Sequence, residues 1–460
     1  MVRSANPVGL GWFGILRLAL VQTALGAIVV LTTSTINRVM VIELALPAIL
    51  PGALVALHHA LQILRPGWGY GSDAGGRRTP WIIGGMAALA LGGVGAAVSI
   101  SLMADHFAAG LVLAIAAFTL VGAGVGATGT SLLALLATSV APDRRAPAAT
   151  LVWLMMIAGF IVTTLVAGHF LDPFTPARLV MITSIVSIIA FSIATASIWG
   201  VEDRCAQVGV AQAQAQAPAQ TENPRADFKV ALKKVWAEQA ARRFTIFIFV
   251  SMLAYSMQDL ILEPFAGIVF GLTPGETTKI SGIQNGGVFA GMLLVAVLAN
   301  PRFGFGSLKL WTIAGCLSSA LALVALVSSA HAGDLALLKG AIFALGFSNG
   351  AYAVAAIGSM MALAGSGRAK SEGLRMGIWG ASQAIAFGVG GFAGTAAADV
   401  LRHVFASAPP AYSAVFLFEA GLFVISAALA VRAIGGVREP AENEFNAKAG
   451  AQPHLQLRNG

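Results

Sequence analysis

Apolar residues run through this chain in long blocks broken by short polar clusters. Twelve blocks stand out, at about 12–36, 47–64, 80–103, 107–140, 147–171, 176–200, 243–270, 276–299, 307–331, 334–365, 372–400 and 410–433. Most reach the roughly 20 residues that a helix needs to cross a bilayer. None alternates with the period of two that a membrane barrel strand shows. Backbone groups in lipid must be bonded within their own segment, which leaves helices as the spanning element. The pattern predicts an all-α polytopic membrane protein with twelve transmembrane helices.

The longest polar break, residues 201–242, divides the blocks into six and six. Its Ala/Gln/Pro run, Ala211 to Gln220, is too poor in apolar mass to build a core. Behind it Phe228, Leu232, Val235 and Trp236 recur at helical spacing among Lys229, Lys233 and Lys234, the mark of a basic amphipathic helix on a membrane surface. The expected division is an N-terminal six-helix bundle over 1–200, a cytoplasmic linker over 201–242, a C-terminal six-helix bundle over 243–433 and a cytoplasmic tail over 434–460. A short repeat supports duplication: P-G-W-G-Y-G-S at Pro66–Ser72 returns 235 residues later as P-R-F-G-F-G-S at Pro301–Ser307.

Composition agrees with a membrane class. The chain has 460 residues, 57% hydrophobic and only 10% charged, with mean hydropathy +0.81, where soluble domains carry about 25% charged residues. The net charge of +8 reads as a topology signal, and nucleic acid is not an expected partner. With both termini in the cytoplasm, five of the 28 Lys and Arg fall outside, namely Arg38, Arg178, Lys279, Lys339 and Arg402, against 23 inside. The two cysteines, Cys205 and Cys316, supply neither a disulfide framework nor a metal spacing. Residues 1–11 lack the short apolar core of a cleaved signal, so the first helix is expected to be kept.

The loop from Arg65 to Gly85, R-P-G-W-G-Y-G-S-D-A-G-G-R-R-T-P-W-I-I-G-G, concentrates glycine, a carboxylate and an arginine pair. Asp73 can accept backbone N–H groups at a helix start or pair with Arg77 or Arg78. Six spans, a linker and six more is the plan of the major facilitator superfamily. The loop resembles its signature G-x-x-x-D-R-x-G-R-R at Gly69, Asp73, Gly76, Arg77 and Arg78, with Ala74 in place of the first arginine.

Three stretches resemble one branch of that superfamily, the PucC/LhaA family. They are Thr32 to Pro47 (T-T-S-T-I-N-R-V-M-V-I-E-L-A-L-P), R-P-x-x-G-x-x-S-D…R-R-T-P at Arg65 to Pro80, and Gln258 to Gly271 (Q-D-L-I-L-E-P-F-A-G-I-V-F-G). The resemblance implies an assembly factor for the bacterial light-harvesting antenna, LH1 or LH2, that binds and delivers bacteriochlorophyll a. It also implies antenna polypeptides, membrane lipids and bacteriochlorophyll synthase or insertion machinery as partners. The implied location is the intracytoplasmic photosynthetic membrane.

His58 and His59 are the leading intramembrane candidates. Neutral imidazole can supply one nitrogen to a chlorin magnesium. Neighbouring helical positions point about 100° apart, so one ring at most is expected to face the bundle interior. The bland reading is a histidine hydrogen-bonded to another helix, or to Gln62 one turn on. Glu263 and Glu419 are lipid-level carboxyls, suited to a magnesium, a proton or a neighbouring helix. Pro264 is expected to kink or end the seventh span. Arg38 and Glu43 read as an interfacial ion pair or snorkelling groups. Gln22, Gln284, Asn285, Asn349 and Gln383 read as interhelical hydrogen bonds before cavity lining. Gly122/Gly126, Gly287/Gly291 and Gly390/Gly394 predict close helix crossings. No phosphate loop, nucleophile triad or Cys/His cluster suggests an enzyme. Two other readings stay open: a proton-coupled solute transporter, and a scaffold for antenna subunits that binds no pigment.

Overall fold

The computed structural model describes residues 10–65, 68, 77–141, 144–202, 236–298, 306–365, 372–405 and 407–434. These are helices and short connections with no strand among them. In order they are α1 (Trp12–Ile42), α2 (Ile49–Leu64), α3 (Thr79–Asp105), α4 (Phe107–Ser139), α5 (Arg145–Phe170) and α6 (Pro176–Ile198). There follow α7a (Gln239–Met257), α7b (Leu262–Phe270), α8 (Pro274–Leu298), α9 (Leu308–Ala332), α10 (Leu335–Gly365), α11 (Glu372–Phe405) and α12 (Ala408–Ala433). Eleven spans among the described residues are long and apolar enough to cross a membrane. The exception is α2, 13 residues of α-helix closed by a three-residue 3-10 turn, or about 24 Å of rise.

Packing repeats with the sequence. In the first half α1 lies on α5 and α6, α3 on α4 and α6, and α2 on α4. In the second half α7 lies on α11 and α12, α9 on α10 and α12, and α8 on α10. Adding six to each helix number converts one set of contacts into the other. The halves meet along two seams related the same way, α5 on α8 and α2 on α11. Each half has its own apolar core, around Ile15, Leu18 and Met86 in the first and Phe244, Phe265 and Phe416 in the second.

The glycine pairs sit at these crossings. A methyl group at Gly287 or Gly291 of α8 would strike backbone atoms of Phe343 or Phe347 on α10. One at Gly390 or Gly394 would meet α7a at Ser256, Leu253 or Met257, and one at Gly122 would lie 2.8 Å from the His58 carbonyl. Gly126 backs onto the Trp68 indole.

Two spans break where no Pro or Gly announces it. A π turn interrupts α1 at Leu31–Thr35, and a 3-10 turn separates α7a from α7b at Gln258–Leu260. The expected kink at Pro264 is therefore displaced upstream. Pro264 stands in the first turn of α7b, where a missing N–H is harmless, and the helix ends at Gly271 with φ 68°.

Candidate functional site

His58 and His59 lie near the end of α2, their rings 4.7 Å apart and edge to face. Their 100° divergence separates their roles. His58 is buried against α4; its Nε2 lies 3.2 Å from the Gln62 amide nitrogen, and its Nδ1 is sealed without a partner. His59 is half-buried on the α2–α11 seam. Its ring stacks obliquely on Phe387 of α11 at 5.8 Å, and Phe387 in turn meets Tyr255 of α7a at 5.7 Å. Gly388 lies beside it, where an added methyl would rest at ordinary contact, 3.5 Å from the His59 Cβ. Among the described residues no hydrogen bond occupies the His59 nitrogens, and neither is sealed inside the fold.

Glu263 and Glu419 do not join the histidines. Glu263, in the first turn of α7b, is buried at a three-helix junction. One carboxyl oxygen accepts from Ser34 in the α1 break and from Ser281 of α8, whose hydroxyls are 3.0 Å apart. The other oxygen is buried without a partner. Glu419 is wholly buried in α12 behind the α7 break. Neither of its oxygens makes a hydrogen bond; the Gln258 N–H and Asp259 face it without reaching bonding geometry.

Arg38 is not a snorkelling group, because its side chain is enclosed by protein. The ion pair with Glu43 exists, at 2.5 Å, but the guanidinium is 2% exposed and also donates to the Leu272 carbonyl at 2.8 Å. It reaches across the halves beneath Gly267. Other ties cluster at the same, arginine-poor end. Asn37 donates to the Leu260 carbonyl at 2.6 Å, Thr35 meets Thr278 at 3.1 Å, and Asp399 accepts the Ile49 N–H at 2.7 Å. Asp172 accepts from Thr273 at 2.9 Å and from the Gly275 N–H at 3.1 Å. Sequence alone missed this set, although T-T-S-T-I-N-R in α1 supplies much of it. The in-span amides mostly bond within their own half: Gln22 with Met156, Asn285 with the Ser281 carbonyl, Asn349 with Ser319.

Of the signature loop, Gly69, Asp73 and Gly76 lie outside the described residues, as does most of the expected amphipathic helix. Arg77 and Arg78 are described. The start of α3 is capped from a distance, by Glu202 beyond the end of α6. Its carboxylate accepts the Arg78 N–H at 2.5 Å and the Thr79 N–H at 2.9 Å, and the Arg78 guanidinium donates to the Ala134 carbonyl at 2.6 Å. Burial pushes the Glu202 carboxyl up, but the Arg78 and Thr79 hydrogen bonds and the Arg77 charge outweigh it and leave it below its ordinary value.

A family model described as PUCC protein matches residues 35–436. The chain belongs to this family. A PUCC-like relative in Rhodobacter capsulatus, named Bacteriochlorophyll synthase 44.5 kDa chain, is 53% identical over 94% of this chain and 98% of its own length. Protein PucC of the same organism is 30% identical over 91% of each chain. Among solved structures, a bacterial homologue of the human lysosomal transporter Spinster superposes with TM-score 0.64 at 14% identity, covering 95% of this chain and 100% of that one. The PUCC chain thus carries the major facilitator fold in an integral membrane protein, as its helix pattern predicts.

Proposed function

We propose that this protein serves the building of the light-harvesting apparatus by binding a bacteriochlorophyll at the α2–α11 seam and handing it to antenna polypeptides. The observation that carries the reading is His59. Its unpaired imidazole stands half-buried between two helices, in contact with an aromatic ring and beside a glycine. A chlorin is flat and largely apolar, with one open position on its magnesium, and imidazole is a suitable ligand for it. His58 is less suited to ligate, because its Nε2 faces the Gln62 amide and its ring is buried. The name of the 53% identical Rhodobacter relative, Bacteriochlorophyll synthase 44.5 kDa chain, supports a place beside bacteriochlorophyll synthesis. We assign the chain a carrier's role in a photosynthetic membrane, with both termini cytoplasmic.

The test is the absorption spectrum of protein purified in mild detergent from pigment-making cells. Wild type and His58→Ala should keep a near-infrared band, while His59→Ala should lose most of it, by about tenfold if one ligand bond worth roughly 1.4 kcal/mol is removed. Colourless wild-type protein carrying antenna polypeptides would replace this reading with the scaffold. Substrate-driven proton flux in liposomes would replace it with the transporter.

A further inference from the structure

We infer a binding site for the phosphate of an anionic lipid where α1 meets the end of α6. An open recess of about 600 Å³ lies there, lined by Arg17, Phe191, Ser192, Thr195, Ala196 and Trp199. One guanidinium nitrogen of Arg17 is pinned by two carbonyls at the end of α6, Ala196 at 3.2 Å and Trp199 at 2.6 Å. That anchors the side chain and offsets the negative end of the helix. The remaining Arg17 donors take no partner among the described residues and belong to the recess.

Thr195 supplies the second, independent observation. Threonines in these helices routinely donate to the carbonyl four residues back, as Thr32 does to Ile28 at 2.7 Å and Thr245 to Ala241 at 2.8 Å. The Thr195 hydroxyl makes no such bond and is buried without a partner. Thr183 and Ser187 of α6 are also unpaired, but their side chains are 1% and 2% exposed, inside the bundle. Thr195 alone of the three lines the recess. Glu202, which follows the end of α6 in the chain, is already engaged by Arg78 and Thr79.

The surroundings select a lipid over a free anion. Trp12 and Trp199 are exposed near the same end of the bundle, where indoles favour the headgroup level. Along α6, Ile185, Ile188 and Ile189 present exposed apolar surface toward the bilayer, a path for acyl chains. A basic side chain at an anionic leaflet gains about 1 kcal/mol, so its loss should weaken binding about fivefold.

Delipidated full-length protein, offered phosphatidylglycerol or phosphatidylcholine and examined by native mass spectrometry, tests the site. One phosphatidylglycerol should stay bound through washing, and phosphatidylcholine should not. Arg17→Gln should cut retention about fivefold while Arg17→Lys keeps most of it, and Thr195→Leu, which fills the recess and leaves the Arg17 anchor intact, should lower retention as well. Equal retention of the two lipids, unchanged retention in Thr195→Leu, or displacement by millimolar inorganic phosphate would each overturn the inference.

Discussion

At the scale of single residues, position on a helix decides what a side chain can do more than its chemistry does. His58 and His59 are chemically identical neighbours, yet one is bonded inside a half and the other stands open on a seam. The sequence made the divergence legible, because 100° per residue is fixed, but not which ring would be free. That choice rests on helices distant in the chain, Gly122 of α4 backing onto His58 and Phe387 of α11 onto His59. Glu202 shows the same limit. It looked like a linker residue, while Asp73 looked like the helix cap, and only the folded return of α6 brings Glu202 to the start of α3. Its carboxyl lies below the ordinary 4.5 in the folded chain, so the stability it adds is present above that range and is lost as pH falls through the folded value. Melting in detergent between about pH 6 and pH 3 should show this loss in wild type. Glu202→Gln should be less stable at the upper end and nearly flat across the interval.

Helix positions were readable from the chain because lipid demands unbroken apolar runs of fixed length. The ends fall within a few residues of the expectation in nearly every span. Interruptions were not readable. Neither Leu31–Thr35 nor Gln258–Leu260 contains Pro or Gly, and each break is held by the opposite half: Glu263 accepts from Ser34, and Asn37 donates to the Leu260 carbonyl. The glycine crossings were readable as pairs, although their partners were not. Leucine at Gly291, which touches the Phe347 carbonyl, should cost roughly 1–3 kcal/mol through overpacking of α8 on α10. The check is a melting temperature lowered by a few degrees, with helix content unchanged. A stable Gly291→Leu protein would mean that α8 and α10 separate more easily than the packing implies.

Over the whole molecule, polar ties between the halves gather at the arginine-poor end, where Arg38, Asn37, Asp172 and Asp399 all cross. Elsewhere the seams are largely apolar, as where Ile157 meets Val288 and Met292. Such a distribution holds one rim shut. Cysteines at Asp172 and Thr273 should crosslink efficiently, and the crosslinked protein should keep wild-type pigment content. If crosslinking abolishes activity that the single cysteines retain, the rim must open during work. The two helix breaks have a consequence for how the bundle flexes. Each is stitched to the opposite half, Ser34 to Glu263 and Asn37 to the Leu260 carbonyl, so bending at one joint drags the other with it. Removing either stitch, in Ser34→Ala or Asn37→Ala, should loosen both joints together, read as faster amide exchange at Leu31–Thr35 and at Gln258–Leu260 in the same variant.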